Sequence, residues 1–327
     1  MYRRRVACGH QHWPYRQPIA ISRGVITGQD VIVVTVAEKG VVGRGESSPN
    51  RRFDETPEQS LRAIEALIPA LEAGLDRAEL QQAMTAGAAR NAIDCALWDL
   101  EAKLTKTRVW ELAGVPAPRP TLTSQTIGVG APATMASMAA RAWSPLLKLK
   151  LGGDADIECV RAVREAAPSA RIVVDANEAW TLAQLQSFAA AAVSCDVELI
   201  EQPLRAGNDS QLDGVRTSIP LGADESFHGL ELFERTRDRY QVVNIKLDKT
   251  GGLTEALRIK AEAERRGLRI MVGCMGGTSL AMAPAMLLAS DASFVDLDGA
   301  RLLQTDRSPG LRYDGGIIAP FDADVWG

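Results

Sequence analysis

The apolar and polar positions of this chain follow two different patterns, and the change between them falls near residue 115. From Thr121 onward, short apolar runs of strand length alternate with longer stretches whose apolar residues recur at helical spacing. Eight strand–helix units of this kind predict an α/β fold, a (β/α)8 barrel of the TIM type. An open doubly wound sheet is the alternative, but no GxGxxG motif opens the first unit. The apolar runs lie at 123–127, 146–151, 172–175, 197–201, 219–224, 242–247, 270–273 and 294–296.

The residues before position 115 lack this alternation. The β-branched run Val31–Val36 predicts a strand, and Thr56 and Gln59 have the spacing of a helix capping box. Two stretches with helical apolar faces follow, so the region reads as a small α+β unit that a proline-rich hinge ends. We therefore predict an α+β domain at 1–115, the barrel at 116–310, and a C-terminal segment at 311–327 that packs back on the first domain.

Ionisable side chains follow most of the predicted barrel strands, at the point where each strand ends. Their spacing along the chain is that of one strand–helix unit, not that of neighbours on one helix. Because the C-terminal ends of barrel strands meet at one mouth, these residues should converge on a single cavity. They are Lys148, Lys150, Asp175, Glu201, Asp224, Lys246, Asp296 and Asp298.

The segment 146–151 places two lysines on one face of a predicted strand. Alternation directs Lys148 and Lys150 to the same side, about 6–7 Å apart, while the leucines between them face the helices. Two ammonium groups would then point toward the barrel axis, where each needs a partner. The alternative is a solvated edge strand whose lysines point to water.

Asp175, Glu201 and Asp224 end three successive predicted strands. Three carboxylates at one barrel mouth repel one another unless a cation joins them. Oxygen donors without a nearby histidine or thiolate favour Mg²⁺. The alternative is that each acid is a solvated strand end or a helix N-cap.

Lys246 ends the sixth apolar run, four strands beyond Lys150, and so lies across an eight-stranded mouth. One base on each side of a bound carbon is what a two-base proton transfer needs. A nearby dication and the other ammonium groups should lower the pKa of such a lysine toward the range of a general base. The alternative is an ion pair with an acid such as Asp224, and both interpretations can hold together.

The pair Asp296 and Asp298 shares one face of the last predicted strand. Two carboxylates at the rim suit a cationic group such as a substrate ammonium. The alternative is a cap on the turn at Gly299.

The composition of the chain argues against several classes of partner and catalytic site. Lys and Arg total 37 against 41 Asp and Glu, a net charge of −4 that gives no basic surplus for nucleic acid. The longest apolar stretch, Leu280–Ala289, is too short to cross a bilayer, so we expect no membrane partner. Five scattered cysteines without CxxC spacing favour a reducing cytoplasm, and three histidines supply neither a zinc site nor a Ser-His-Asp triad well.

Taken together, these residues make the chain resemble the enolase superfamily, in its muconate-lactonising subgroup, and in particular the bacterial L-Ala-D/L-Glu epimerases among the dipeptide epimerases. The resemblance runs along essentially the whole chain, and the pair Asp296 and Asp298 is its narrowest mark. The matching stretches are GAARNAIDCALWDLEAK (87–103), LLKLKLG (146–152), VVDANEAW (173–180), LIEQPL (199–204), GADES (222–226), VNIKLDKTGGLTEAL (243–257) and FVDLDG (294–299).

The resemblance implies roles for the polar residues at the mouth. Three acids would hold Mg²⁺, which binds the terminal carboxylate of the substrate, and two lysines would exchange the α-proton on opposite faces. A third lysine would sit by that carboxylate and help to stabilise the enediolate. In this order the residues are Asp175, Glu201 and Asp224, then Lys150 and Lys246, then Lys148.

Further roles concern the rest of the substrate. By the same resemblance, Asp296 and Asp298 would hold the N-terminal ammonium of a dipeptide. Thr123 and Cys274 would line the site. Arg23, on a loop of the first domain, would pair with the side-chain carboxylate of a glutamate.

We therefore expect an Mg²⁺-dependent isomerase that epimerises L-Ala-D-Glu and L-Ala-L-Glu at the second residue by 1,1-proton transfer. Cytoplasmic recycling of cell-wall peptides is the context that the resemblance implies, with a homo-oligomer as a possible assembly. One alternative is another enzyme of the subgroup: a cycloisomerase, an o-succinylbenzoate synthase or an N-acylamino-acid racemase. Others are a barrel that binds peptide without turnover and a Schiff-base aldolase.

Overall fold

The computed structural model describes residues 4–327 and begins with a long antiparallel hairpin. Strands β1 (Arg5–Ile21) and β2 (Gly24–Glu38) form the hairpin, and β3 (Val41–Ser47) pairs with β2 to complete a three-stranded sheet. The predicted strand at 31–36 lies inside β2 and is confirmed. The hairpin extends much further than the apolar pattern indicated, with an irregular register between Pro14 and Ile19.

Four helices follow this sheet, and the first and third of them pack against it. The helices are α1 (Pro57–Ala73), α2 (Arg77–Ala83), α3 (Ala88–Thr105) and the short α4 (Val109–Leu112). The capping box at the start of α1 is confirmed: Thr56 Oγ1 accepts from Gln59 N at 3.2 Å, and Gln59 Oε1 accepts from Thr56 N at 2.9 Å. Ile64 of α1 and Val34 of β2 meet α3 in a buried apolar core. The α+β character predicted for the first domain is therefore confirmed.

The barrel consists of eight parallel strands in chain order, one for each predicted run. They are β5 (Gln125–Ile127), β6 (Leu146–Lys150), β7 (Arg171–Asp175), β8 (Val197–Glu201), β9 (Leu221–Ala223), β10 (Val242–Ile245), β11 (Arg269–Gly273) and β12 (Phe294–Asp296). A hydrogen bond from Ser124 N to Val295 O, at 2.8 Å, joins the chain just before β5 to β12. The predicted barrel is confirmed as an eight-stranded, nearly closed parallel sheet.

Helices and a small three-stranded sheet complete the barrel domain. The two-residue strand β4 (Thr121–Leu122) pairs with β14 (Ile317–Ile318), which pairs in turn with β13 (Tyr313–Asp314). The helices are α5 (Pro132–Ala139), α6 (Asp156–Ala166), α7 (Leu182–Ala192), α8 (Phe233–Thr236), α9 (Leu247–Thr250), α10 (Leu253–Arg265), α11 (Ser279–Ala289) and α12 (Gly299–Leu302).

Two layers of inward-facing side chains fill the barrel axis. The lower layer is a buried apolar cluster of Leu146, Val173, Leu199, Val242, Met271 and Phe294. Because successive side chains of a strand alternate between faces, the next inward residue lies two positions further on. These second positions are Lys148, Asp175, Glu201, Asn244, Gly273 and Asp296. The apolar layer thus closes the barrel below, and the polar layer above it forms the floor of the mouth.

The C-terminal residues reach back to the first domain. Trp326 Nε1 donates to the carbonyls of Arg44 and Cys95, both at 3.1 Å, and Gly327 N donates to Asp99 Oδ1 at 2.7 Å. The domain limits at 115 and 310 stay predictions. The five cysteines are free thiols, and no helix within residues 4–327 has the length and apolarity needed to span a bilayer.

Candidate active site

Most of the predicted site residues border a cavity between the barrel mouth and the hairpin of the first domain, while Lys148, Asp175, Glu201 and Thr123 are buried and do not line it. Arg23, at the turn between β1 and β2, reaches the cavity from above, and Tyr15 and Arg52 add two more side chains from the same domain. From the barrel, its wall includes Lys150, Asp224, Lys246, Cys274, Asp296 and Asp298.

Strand β6 directs both of its lysines inward, so the solvated edge strand is excluded. Lys148 is fully buried, and its Nζ lies 2.7 Å from Asp296 Oδ2, 2.7 Å from Glu201 Oε2 and 3.3 Å from Asp175 Oδ2. Lys150 Nζ lies 2.7 Å from Asp175 Oδ2 and borders the cavity. Burial would lower the pKa of Lys148, but the surrounding carboxylates hold it well above its usual range.

Asp175, Glu201 and Asp224 are fully buried side by side at the ends of β7, β8 and β9. Burial raises the pKa of Glu201, and the charge of neighbouring Asp175 raises it further. For Asp175 and Asp224 burial acts in the same direction, but the adjacent lysines outweigh it and lower both pKa values. The acids are therefore neither solvated strand ends nor helix caps.

Lys246 approaches the acids from the other side of the mouth. It follows β10, and its Nζ donates to Asp224 Oδ2 at 2.7 Å, so the ion-pair alternative holds. Burial would lower the pKa of Lys246, but Asp224 raises it above the ordinary value. The lowering expected from the sequence depends on a dication held by the acids together with nearby ammonium groups, and it stays a prediction.

Two buried residues of this region were missed by the sequence reasoning. Lys249 Nζ donates to Asp224 Oδ1 and to the Asp224 carbonyl, both at 2.6 Å, and to the Asn244 carbonyl at 3.0 Å. Asn244 Nδ2 donates to Glu201 Oε1 at 2.7 Å. Asn244 lies two positions beyond inward-facing Val242, so the strand alternation was a usable signal; Lys249 sits in a one-turn helix that the pattern did not resolve.

The two rim acids occupy different environments. Each oxygen of Asp296 already accepts one hydrogen bond: Oδ1 from Ser124 Oγ and Oδ2 from Lys148 Nζ, both at 2.7 Å. Asp298 accepts at Oδ2 from Thr126 N at 2.7 Å and borders the cavity. Burial, together with the charge of Asp296, raises the pKa of Asp298 to about 7. Asp298 is thus the rim acid with room for a further cationic partner.

Two other predicted residues lie close to this rim. Cys274 borders the cavity, and burial next to the rim acids raises the pKa of its thiol to about 12, so the thiol is neutral. Thr123 is fully buried beside the cavity, where its Oγ1 accepts from Leu297 N at 2.8 Å. Thr123 joins the start of the barrel to its last strand, and Thr126 is the neighbour that borders the cavity.

The acids fit a hard dication by their chemistry. As the side chains stand, no three histidine, cysteine or acidic residues between positions 4 and 327 form a ready metal site. Asp175, Glu201 and Asp224 instead lie against lysine ammonium groups. Their donors are buried carboxylate oxygens, and Glu201 Oε2 accepts no hydrogen bond although Lys148 Nζ is 2.7 Å away.

This barrel, with its capping domain and its ring of lysines and acids, defines an enolase-superfamily protein. Residues 132–320 match the enolase C-terminal domain-like family. Residues 3–114 match the N-terminal domain of the mandelate racemase/muconate lactonizing enzyme family. The chain belongs to this family, so the resemblance seen in the sequence is confirmed.

Individual proteins similar to this chain include an epimerase and a racemase. The chain is 40% identical to L-Ala-D/L-Glu epimerase of Escherichia coli (strain K12), over 96% of this chain and 99% of that protein. It is 43% identical to N-acetyl-D-glutamate racemase of Pseudoalteromonas sp, over 91% of this chain and 95% of that protein. A crystal structure from Agrobacterium tumefaciens, of an enolase family member with homology to dipeptide epimerases and with bound sodium and L-Ala-L-Glu, matches with TM-score 0.97 and 48% identity. That match covers 99% of this chain and 100% of the other.

Proposed function

We propose that this protein is an Mg²⁺-dependent isomerase that interconverts L-Ala-L-Glu and L-Ala-D-Glu at the α-carbon of the second residue. The observation that carries the proposal is the placement of Lys150 and Lys246. They end strands four positions apart in an eight-stranded barrel, border the same cavity, and are each held by a different acid. Two amines on opposite sides of one bound carbon are what inversion requires.

In this proposal Lys150 and Lys246 exchange roles between the two directions of the reaction. The amine on one side removes the α-proton, and the ammonium on the other side returns a proton to the opposite face. Lys148 Nζ holds the carboxylate oxygen on which negative charge develops, a contact that strengthens as the proton leaves. Mg²⁺ held by Asp175, Glu201 and Asp224 would supply further charge stabilisation to that carboxylate.

The free ammonium of a dipeptide would bind at the rim. Asp298 is the partner that the geometry favours, because the oxygens of Asp296 already accept from Lys148 and Ser124. Asp296 then adds negative charge near the ammonium and holds Lys148 in position. Arg23, on the hairpin turn, would meet the side-chain carboxylate of the second residue.

Racemisation of an N-acylated glutamate is the second candidate. A raised pKa keeps Asp298 partly neutral near pH 7, and a neutral carboxyl can donate a hydrogen bond to an acyl oxygen. The Pseudoalteromonas relative, named N-acetyl-D-glutamate racemase, supports this candidate. Both candidates invert the α-carbon of a glutamate with the same pair of lysines, and they differ in the group that the glutamate nitrogen carries to the rim.

One assay separates the candidates. The protein is incubated in heavy water with Mg²⁺ and either L-Ala-L-Glu or N-acetyl-L-glutamate, and the α-proton signal is followed by NMR. The proposal predicts loss of that signal and appearance of the L,D diastereomer with the dipeptide, and no reaction when a chelator removes the metal. Turnover of only the N-acetyl substrate would favour the second candidate, and exchange of neither would refute both.

The cellular setting is part of the proposal. Five free cysteines suit the reducing cytoplasm, where cell-wall dipeptides would be recycled. Assembly into a homo-oligomer stays a prediction.

A further inference from the structure

Four charged side chains meet above the cavity, where the first domain closes over the barrel. Arg23 comes from the hairpin turn and Arg52 from the segment before α1, while Glu178 and Glu225 follow β7 and β9. Arg23 Nη1 lies 3.0 Å from Glu225 Oε1 and 3.3 Å from Glu178 Oε2, and it also donates to the Asn177 carbonyl at 3.1 Å. We refer to Arg23, Arg52, Glu178 and Glu225 as the mouth cluster.

Arg52 occupies both carboxylate oxygens of Glu178. Its Nε lies 2.5 Å from Oε2 and its Nη2 lies 2.6 Å from Oε1, the two-pronged geometry that makes arginine–carboxylate pairs strong. Ala206 N donates to Oε1 as well, at 2.8 Å. Glu178 therefore has little capacity left for Arg23, whose contact with it is the longest in the mouth cluster.

Arg23 consequently retains donors that face the cavity. All of its contacts with Asn177, Glu178 and Glu225 use Nη1, and among residues 4–327 its Nε and Nη2 donate no hydrogen bond. Its side chain is 37% exposed and borders the cavity. A guanidinium edge with two unused N–H groups is suited to a carboxylate.

We infer that Arg52 determines the preference for an acidic second residue, acting through Glu178: by occupying Glu178, it keeps Arg23 available for the substrate carboxylate. Arg52 is thus a positioning residue and does not itself touch the substrate. This inference rests on the proposed function, since it deepens the recognition of glutamate at the same site.

Loss of Arg52 should change substrate preference, which loss of a merely structural ion pair would not do. Without Arg52, Glu178 keeps Ala206 N on Oε1 but loses its two guanidinium hydrogen bonds, and Arg23, already 3.3 Å from Oε2, has unused donors that can replace them. Glu178 would then compete with the substrate for Arg23. Removing the charge of Glu178 as well should release Arg23 and restore recognition of the acidic substrate.

The test compares L-Ala-L-Glu with the neutral, nearly isosteric L-Ala-L-Gln in wild type, Arg52→Met, Glu178→Gln and the double variant. For Arg52→Met, kcat/KM for L-Ala-L-Glu should fall about 10- to 100-fold, the range for losing one charge-assisted hydrogen bond, with most of the change in KM. The value for L-Ala-L-Gln should fall much less. In the double variant the Glu/Gln preference should return to within a few fold of wild type.

Arg171→Met is the matched control. Arg171 also forms a bidentate ion pair with a glutamate, Glu198. This pair lies at the start of β7, at the opposite end of the barrel. Its loss should leave the Glu/Gln preference as in wild type, which separates the effect of the mouth cluster from a general loss of an ion pair.

Three outcomes would decide against the inference. Equal losses for both dipeptides in Arg52→Met would reduce Arg52 to a structural residue. A double variant no better than Arg52→Met would show that Glu178 does not compete for Arg23. An altered preference in Arg171→Met would make the readout nonspecific. If wild type exchanges neither dipeptide, the proposed function itself fails, which is a distinct result.

Discussion

The two sides of the barrel mouth each place a pair of lysines on one acid, but they do so differently. On the β6 side, Lys150 and Lys148 approach the same oxygen of Asp175, at 2.7 and 3.3 Å. On the β10 side, Asp224 gives one oxygen to Lys246, at 2.7 Å, and the other to Lys249, at 2.6 Å.

The inner lysines of the two pairs, Lys148 and Lys249, have different surroundings. Lys148 is surrounded by the carboxylates of Asp175, Glu201 and Asp296, whereas Lys249 donates to one carboxylate and to two backbone carbonyls. Burial acts to lower the pKa of both lysines, but the surrounding acids outweigh it and raise the pKa of Lys148, whereas the pKa of Lys249 stays lowered. Lys148 therefore belongs to the charge balance of the site, and Lys249 serves to hold Asp224 and the end of β10 in place.

Replacing Lys150 or Lys246, the outer lysine of each pair, should have the largest effect on the rate of epimerisation. Lys150→Ala and Lys246→Ala should each lower the epimerisation rate of L-Ala-L-Glu by at least about 10³-fold, within the range for losing a general acid–base group. Polarimetry or NMR of the L,D product measures this rate. Near-normal epimerisation by either variant would mean that its side of the mouth takes no part in proton transfer.

Replacing the two inner lysines, Lys148 and Lys249, should lower the stability of the protein by different amounts. In metal-free buffer Lys148→Met should lower the free energy of unfolding by about 3–5 kcal/mol, because buried carboxylates lose their shared cation. Lys249→Met should cost about 1–3 kcal/mol, since Asp224 keeps Lys246 and mainly the carbonyls lose a donor. Urea unfolding measures both values, and a Lys249→Met cost equal to or above that of Lys148→Met would overturn the contrast.

Binding of the dipeptide ammonium by Asp298 at the rim should depend on pH. As the pH falls through about 7, Asp298 becomes protonated and loses its attraction for the dipeptide ammonium, so KM for L-Ala-L-Glu should rise by up to about tenfold per pH unit. N-Acetyl-L-glutamate has no ammonium and serves as the control. An identical rise in KM for both substrates, or its persistence in Asp298→Asn, would assign the titration to another group.

The smallest effect is expected from Ser124. Ser124→Ala removes the 2.7 Å hydrogen bond to Asp296 Oδ1 but leaves Lys148 on Oδ2. A loss of about 1 kcal/mol corresponds to a few-fold change in kcat/KM for the dipeptide. A loss as large as that of Asp296→Asn would mean that the hydroxyl, and not Lys148, sets the position of this acid.

The sequence predicted the barrel and its polar floor because both depend on local periodicity. The strand alternation that buries Leu146 also directs Lys148 inward, and the parallel order brings Asp175 and Glu201 to one edge. Neither inference needed knowledge of the side-chain contacts.

Features that depend on contacts between distant segments escaped prediction. Arg52 and Glu178 lie 126 positions apart and meet only because the first domain closes over the barrel. Strand β1 was missed because its half-exposed polar residues show no clean alternation. The ion pair of Lys246 with Asp224 was only one of two alternatives, since the sequence does not fix which charge stands nearest.

The central claim is that Lys150 and Lys246 serve opposite faces of one carbon, and deuterium incorporation tests it most directly. In heavy water, one of the two alanine variants should exchange the α-proton of L-Ala-L-Glu alone, and the other that of L-Ala-D-Glu alone, with neither forming the opposite diastereomer. Exchange of the same diastereomer by both variants would place the two amines on one face and contradict the claim.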